Sequence, residues 1–88
     1  MYRLRWLKAV TRDLLRATAL ADAEVRNHIL VAMEEVEATL ENDADVAGES
    51  REPGTRFLIV SPLSITYKIN AKERKVTIIQ ASVHRIQL

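Results

Sequence analysis

The spacing of apolar residues changes twice along this 88-residue chain, and these changes constrain its fold more than any other feature. Residues 2–7 alternate between apolar and basic side chains, which is the period of a half-buried strand. From Lys8 the apolar residues recur every three or four positions, as they do in an amphipathic helix. After residue 55 the period returns to two. The sequence therefore predicts the element order β-α-α-β-β-β.

The helical part is predicted to be a hairpin of two helices. The second helix carries the clearer apolar stripe, formed by Val25, Ile29, Met33, Val36 and Leu40. Asp22 is a residue type that favours the N-cap position, so we expect this helix to begin just after it. We expect it to end between Glu41 and Asp45, because carboxylates are unfavourable at the negative C-terminal pole of a helix.

The remainder of the chain is predicted to be a loop followed by three strands. Residues 45–55 are polar and hold both glycines and one of the two prolines, which indicates a loop. Strands are expected at residues 56–60, 65–69 and 76–83, with a charged turn at 70–74. The last strand is almost continuously apolar, which is typical of a strand covered on both faces or of a central strand. These elements predict a single α+β domain over residues 1–88, with a small antiparallel sheet packed against the N-terminal helical hairpin.

Composition excludes several classes of site. Without cysteine, the chain can form no disulfide, thiolate metal site or cysteine nucleophile. The two histidines, His28 and His84, lie on different predicted elements, so we expect neither a zinc site nor a cofactor. No apolar run approaches the roughly 18 residues of a membrane span, and the N-terminal residues are too charged for a signal peptide. A cytoplasmic protein that does not contact a membrane is the resulting expectation.

The net charge of +1 conceals a strong asymmetry along the chain. Residues 24–52 hold nine acidic and two basic residues, and the remainder carries the compensating positive charge. Two readings remain open. The chain presents either separate acidic and basic surfaces for two partners, or an acidic solvated helix beside a sheet with ordinary surface lysines.

Three segments, taken in order, resemble the RelE/ParE toxin superfamily, which includes plasmid stabilisation proteins of type II toxin–antitoxin systems. The loop at residues 48–56 (GESREPGTR) has glycine, arginine and a Pro-Gly pair before the second strand, as family members do. Residues 64–69 (SITYKI) are similar to the family's third strand with its tyrosine. Residues 76–85 (VTIIQASVHR) are similar to its apolar last strand and His-containing tail. The resemblance covers essentially the whole chain and implies the same α+β fold.

The resemblance implies the toxin half of a bacterial toxin–antitoxin pair, neutralised by a cognate antitoxin protein. Three activities are open. The first is a messenger RNA interferase, a metal-independent ribonuclease that cuts messenger RNA on the ribosome. The second is a ParE-like DNA gyrase inhibitor, and the third is a non-toxic relative that only binds its antitoxin. We expect the antitoxin to cover the sheet and part of the hairpin, where Leu15, Leu20 and Val31 are extra apolar positions.

The family's site residues transfer to this chain by position. In nuclease relatives a histidine just after the last strand protonates the leaving 5′ oxygen, and His84 stands there. The catalytic set implied by the resemblance is His84, Glu52 as the base and Arg56 as the cation that stabilises charge on the phosphate, with Arg51 as a second candidate for that cation. The implied substrate-binding set is Arg51, Tyr67, Lys68 and Arg85. The alternative for His84 is a solvent-exposed residue near the C-terminus, for Glu52 a solvated loop carboxylate, and for Tyr67 a core aromatic.

Ser64 departs from the family pattern. Both branches usually carry arginine three residues before the third-strand tyrosine, and a hydroxyl cannot neutralise a phosphate or bind it in the bidentate way that arginine does. Either Arg56 or Lys68 takes over this function, or activity is weak, or the chain is not a nuclease.

Overall fold

The computed structural model describes residues 1–84. Two helices and five strands follow one another in this part of the chain. They are β1 (Arg3–Trp6), α1 (Lys8–Leu20), α2 (Ala23–Ala47), β2 (Glu49–Glu52), β3 (Thr55–Val60), β4 (Leu63–Asn70) and β5 (Lys75–Val83). The α+β class and the helical hairpin are confirmed.

Helix α2 begins where the sequence predicts and ends later. The side chain of Asp22 accepts a hydrogen bond of 2.9 Å from the backbone N–H of Val25, which confirms the N-cap. The predicted end between Glu41 and Asp45 was too early, although Asp43 leaves helical geometry (φ −131°, ψ 27°). The helix continues to Ala47 because Ala44 is fully buried against the sheet, and this burial outweighs the unfavourable acidic residues.

The sheet is mixed, so the prediction of an antiparallel sheet was wrong for one strand pair. The strand order is β1-β5-β4-β3-β2, and β1 pairs with β5 in parallel while the other pairs are antiparallel. Residue periodicity reports which side chains share a face but does not report strand direction. The apolar strand β5 lies between β1 and β4, as its composition predicted.

Strand β2 lies inside the segment that the sequence predicts to be a loop. All four of its residues are exposed, and it forms an edge of the sheet beside β3. A charged, exposed edge strand has no apolar alternation, so periodicity cannot reveal it. Gly54 supplies the turn into β3 with a positive φ of 79°.

The two helices pack against one face of the sheet and form a single core. This core contains the buried stripe of α2, Val10 and Leu14 of α1, and the side chains of β4 and β5 that face them. Within residues 1–84, neither helix is long and apolar enough to cross a membrane.

The opposite face of the sheet, which we call the open face, carries mostly polar and basic side chains. Cross-strand partners share a face, so the strand register defines its members. They are Arg3 and Arg5 of β1, Lys75, Thr77, Gln80 and Ser82 of β5, Ser64, Thr66 and Lys68 of β4, and Thr55, Phe57 and Ile59 of β3.

Candidate functional site on the open face

His84 and Ser64 form the central contact of the open face. The Nε2 atom of His84 and the hydroxyl oxygen of Ser64 are hydrogen-bond partners. The backbone N–H of His84 also donates to the carbonyl of Pro62 at 2.6 Å, so both its main chain and its ring are held at the start of β4. Ser64 is 6% exposed, whereas His84 is exposed. With Nε2 bonded to Ser64, the other ring nitrogen, Nδ1, has no hydrogen-bond partner among residues 1–84.

Lys68 shares the open face with Ser64 and supplies a positive charge. The two residues are four positions apart on β4, which separates their Cα atoms by about 13 Å. Lys68 is exposed, and the intervening open-face residue is Thr66. A flexible ammonium group at this position is suited to a phosphate oxygen.

Glu52 and Arg51 lie at the far edge of the sheet from His84. Glu52 is in register with Thr55, which is in register with Lys68. Two strand spacings and four residues of rise separate Glu52 from Ser64, or roughly 16 Å. The guanidinium of Arg51 stacks over the ring of Phe57 at 4.9 Å and lies 3.8 Å from a carboxylate oxygen of Glu49. The backbone of Glu52 is therefore not close to that of Ser64, whereas the guanidinium of Arg51 lies over Phe57, an open-face residue of β3.

Tyr67 lies on the helix-facing side of β4, and its side chain is fully buried. Its hydroxyl donates a 2.8 Å hydrogen bond to the carbonyl of Ala44 and accepts a 3.2 Å hydrogen bond from the N–H of Gly48. These contacts tie the end of α2 to the sheet. Burial raises the pKa of Tyr67 above its ordinary value of 10.0, and Arg56 and the Gly48 N–H partly oppose this shift. The phenol is therefore neutral at physiological pH, and it has no exposed surface that a substrate could contact.

Arg56 is in register with Tyr67 and faces the same helical layer. Its guanidinium donates to the carbonyl of Gly48 through Nη2. Its Nε atom is buried and has no hydrogen-bond partner within the described residues. Arg56 thus joins the connection between α2 and the sheet, on the opposite side of the sheet from His84.

Arg85, which the resemblance implies as a substrate-binding residue, lies outside the described residues. Across residues 1–84, no group of three or more acidic or histidine side chains is placed to hold a metal ion.

Comparison with solved structures identifies the architecture. The chain matches the toxin–antitoxin complex RelBE2 from Mycobacterium tuberculosis with a TM-score of 0.73 and 21% identity, over 96% of this chain and 98% of that one. It matches the chromosomal ParDE toxin–antitoxin system of P. aeruginosa with a TM-score of 0.73 and 22% identity, over 97% and 98%. The isolated E. coli RelE toxin gives a TM-score of 0.62 and 16% identity, over 99% and 88%. The chain has the RelE/ParE toxin fold.

Neither a protein-family model nor a curated protein matches the chain. The RelE/ParE fold is therefore recognised through structure and through the order of short motifs, rather than through overall sequence identity.

Ser64 is the site residue whose role sequence reasoning missed, since it was noted only for replacing an arginine. The sequence carried only part of the signal for its position. Pairing β4 with β5 from the turn at 70–74 without a bulge would place Ser64 opposite Ala81. The bulge between Thr66 and Tyr67 shifts its partner to Ser82, two residues before His84.

Proposed function

We propose that this chain is the toxin of a type II toxin–antitoxin pair, that it cuts messenger RNA on the ribosome, and that a cognate antitoxin neutralises it. Two kinds of observation support the proposal. The similar structures are toxin–antitoxin complexes and an isolated RelE toxin, with nearly complete coverage of both chains. The open face also presents an exposed histidine held in a fixed orientation.

The contact between His84 and Ser64 is the observation that carries the nuclease proposal. Cleavage of RNA without a metal requires the 2′ hydroxyl to lose its proton, here to water, as its oxygen attacks phosphorus and the bond from phosphorus to the 5′ oxygen breaks. The leaving 5′ oxygen needs a proton, and an imidazolium can donate one near neutral pH. With Nε2 bonded to Ser64, the proton of His84 is delivered from Nδ1. The products are a cyclic 2′,3′-phosphate and a free 5′ hydroxyl.

We assign the stabilisation of negative charge on the phosphate to Lys68. Lys68 is the basic residue of β4 on the same face as His84, and the guanidinium of Arg56 is held on the other side of the sheet. With the long Lys68 side chain extended along the strand, its ammonium approaches the phosphate and stabilises the charge that develops as phosphorus becomes five-coordinate. The backbone of Glu52 is farther from Ser64, roughly 16 Å against about 13 Å for Lys68, and its side chain is shorter, so we assign proton transfer by the chain to His84.

A DNA gyrase inhibitor is the second candidate, and a specific observation favours it. The residues that the nuclease relatives would gather around the histidine are dispersed here, with Glu52 at the far edge and Arg56 and Tyr67 behind the sheet. An inhibitor that cuts nothing does not need them together. One of the matched structures is a ParDE system.

The antitoxin is assigned to the helical hairpin. Leu15, Leu20, Leu30 and Val31 are 49–84% exposed on α1 and α2, although they are large and apolar. Leu15 and Leu30 also line a small cavity of about 80 Å³ between the two helices. An apolar segment of the antitoxin seated here would bury these side chains.

The test of the nuclease site is a Ser64 series assayed for cleavage of translated message. Ser64→Ala removes the partner of His84 and is expected to lower the cleavage rate about three- to tenfold, which is the loss expected for one hydrogen bond. Ser64→Thr keeps a hydroxyl at the same place and should retain most of the rate. Equal rates in wild type and Ser64→Ala would contradict the assigned role of the contact.

The same proteins distinguish the second candidate. Inhibition of gyrase supercoiling by wild type and by His84→Ala alike, with message left intact, would establish the inhibitor and exclude the nuclease. For the antitoxin, Leu15→Glu with Leu30→Glu should abolish neutralisation while toxicity persists. The matched change Ala9→Glu with Ala19→Glu, on exposed positions of α1, should leave neutralisation unchanged.

A further inference from the structure

Three basic side chains meet at the sheet edge formed by β1. Arg3 is in register with Lys75, and Arg5 is in register with Thr77, so their side chains leave the sheet on the open face. Together with Leu4 they line a cavity of about 220 Å³. We call this cluster of Arg3, Arg5 and Lys75 the basic edge.

The basic edge has little internal charge compensation. Lys75 lies 3.2 Å from a carboxylate oxygen of Glu73, and both side chains are half exposed. Arg3 and Arg5 form no salt bridge or side-chain hydrogen bond with any of residues 1–84. Adjacent like charges on one face of a sheet repel one another, so an anion bound between them would be stabilised.

The basic edge and His84 are connected by a polar path along β5. Thr77, Gln80 and Ser82 are the open-face residues between them, and Thr77 to His84 spans about 20 Å. Hydroxyl and amide side chains are among the groups that proteins use to contact phosphate and sugar. No aromatic side chain lies along β5, so this path offers no platform for stacking bases.

We infer that the basic edge binds the phosphate backbone of single-stranded RNA. One RNA strand running along β5 would reach from this edge to His84. The choice of RNA rests on the proposed function. The binding itself requires no cleavage. Because the contacts are to phosphates, affinity should be strongly salt-dependent and nearly independent of base sequence.

The test measures RNA binding by fluorescence anisotropy across a series of salt concentrations. The protein carries His84→Ala so that the probe, a labelled oligouridine of about 12 nucleotides, is not cut. Each phosphate contact to a single strand contributes about −0.7 to the slope of log affinity against log salt. Arg3→Gln with Arg5→Gln should therefore reduce the magnitude of the slope by about 1.4 and weaken binding at low salt by at least about tenfold.

A matched control distinguishes a specific binding site from a general effect of the protein's net charge on RNA affinity. Arg12→Gln with Arg16→Gln removes the same charge from exposed positions of α1 and should leave the slope nearly unchanged. Equal effects of the two double variants would overturn the inference. Displacement of the probe by oligoglutamate at the same concentration as by unlabelled oligouridine would also overturn it, in favour of an acidic peptide. If the protein binds RNA at the basic edge in a salt-dependent way but leaves message intact, the proposed nuclease activity is refuted and the inferred RNA binding stands.

Discussion

Replacing Tyr67 by phenylalanine should destabilise the fold by about 2 kcal/mol. The substitution removes one hydroxyl that makes two hydrogen bonds, to the Ala44 carbonyl at 2.8 Å and from the Gly48 N–H at 3.2 Å. Each is worth about 1 kcal/mol, and the Ala44 carbonyl is left in a fully buried residue without this partner. For a domain of this size, 2 kcal/mol corresponds to a fall in Tm of about 8–16 °C.

Urea unfolding followed by circular dichroism measures this change. The midpoint should fall while the m-value stays constant, because the surface exposed on unfolding is unchanged. Tyr2→Phe is the matched control, since Tyr2 is also buried but its hydroxyl makes no hydrogen bond within the described residues. Tyr2→Phe should alter stability by less than about 0.5 kcal/mol. Equal stabilities of the two variants would refute the structural role assigned to the Tyr67 hydroxyl.

Three further predictions concern the same framework. Gly48→Ala should cost about 1–3 kcal/mol in urea unfolding, because a Cβ would lie 2.7 Å from the Phe57 carbonyl oxygen and 2.9 Å from the Tyr67 hydroxyl; a wild-type midpoint would contradict this packing. Asp22→Ala should cost about 1 kcal/mol through loss of the α2 N-cap, whereas Asp13→Ala, at an exposed position of α1, should cost much less. Because burial raises the pKa of Tyr67, its phenol ionises at lower pH in the unfolded chain than in the folded protein. The contribution of Tyr67 to stability is therefore complete below about pH 10 and is lost at higher pH. The stability of Tyr67→Phe should fall less steeply with rising pH than that of wild type, and parallel pH profiles would contradict this.

The regular elements of this fold were predictable because each buries one face. The stripe of α2 and the alternation of β4 and β5 follow from burial against a common core. Strand β2 was not predictable, since its four residues are all exposed and bury nothing. The parallel pairing of β1 with β5 was also hidden, because strand direction leaves no trace in a period of two.

The candidate site was predictable only in part, for a related reason. Alternation puts Tyr67 in phase with Ile65 and Ile69, which indicated the core position that the structure shows. Motif order singled out His84, but its contact with Ser64 depends on a register that includes a bulge between Thr66 and Tyr67. The distance from Glu52 to His84 depends on β2 being a strand, which the sequence concealed.

Primer extension on a message translated in a purified system tests the central claim most directly. Wild type should produce ribosome-dependent stops, and His84→Ala should abolish them because the leaving oxygen loses its proton donor. His28→Ala, which alters an exposed histidine on α2, is the matched control and should cleave as wild type does. Intact message at saturating wild-type protein, or undiminished stops with His84→Ala, would contradict the account.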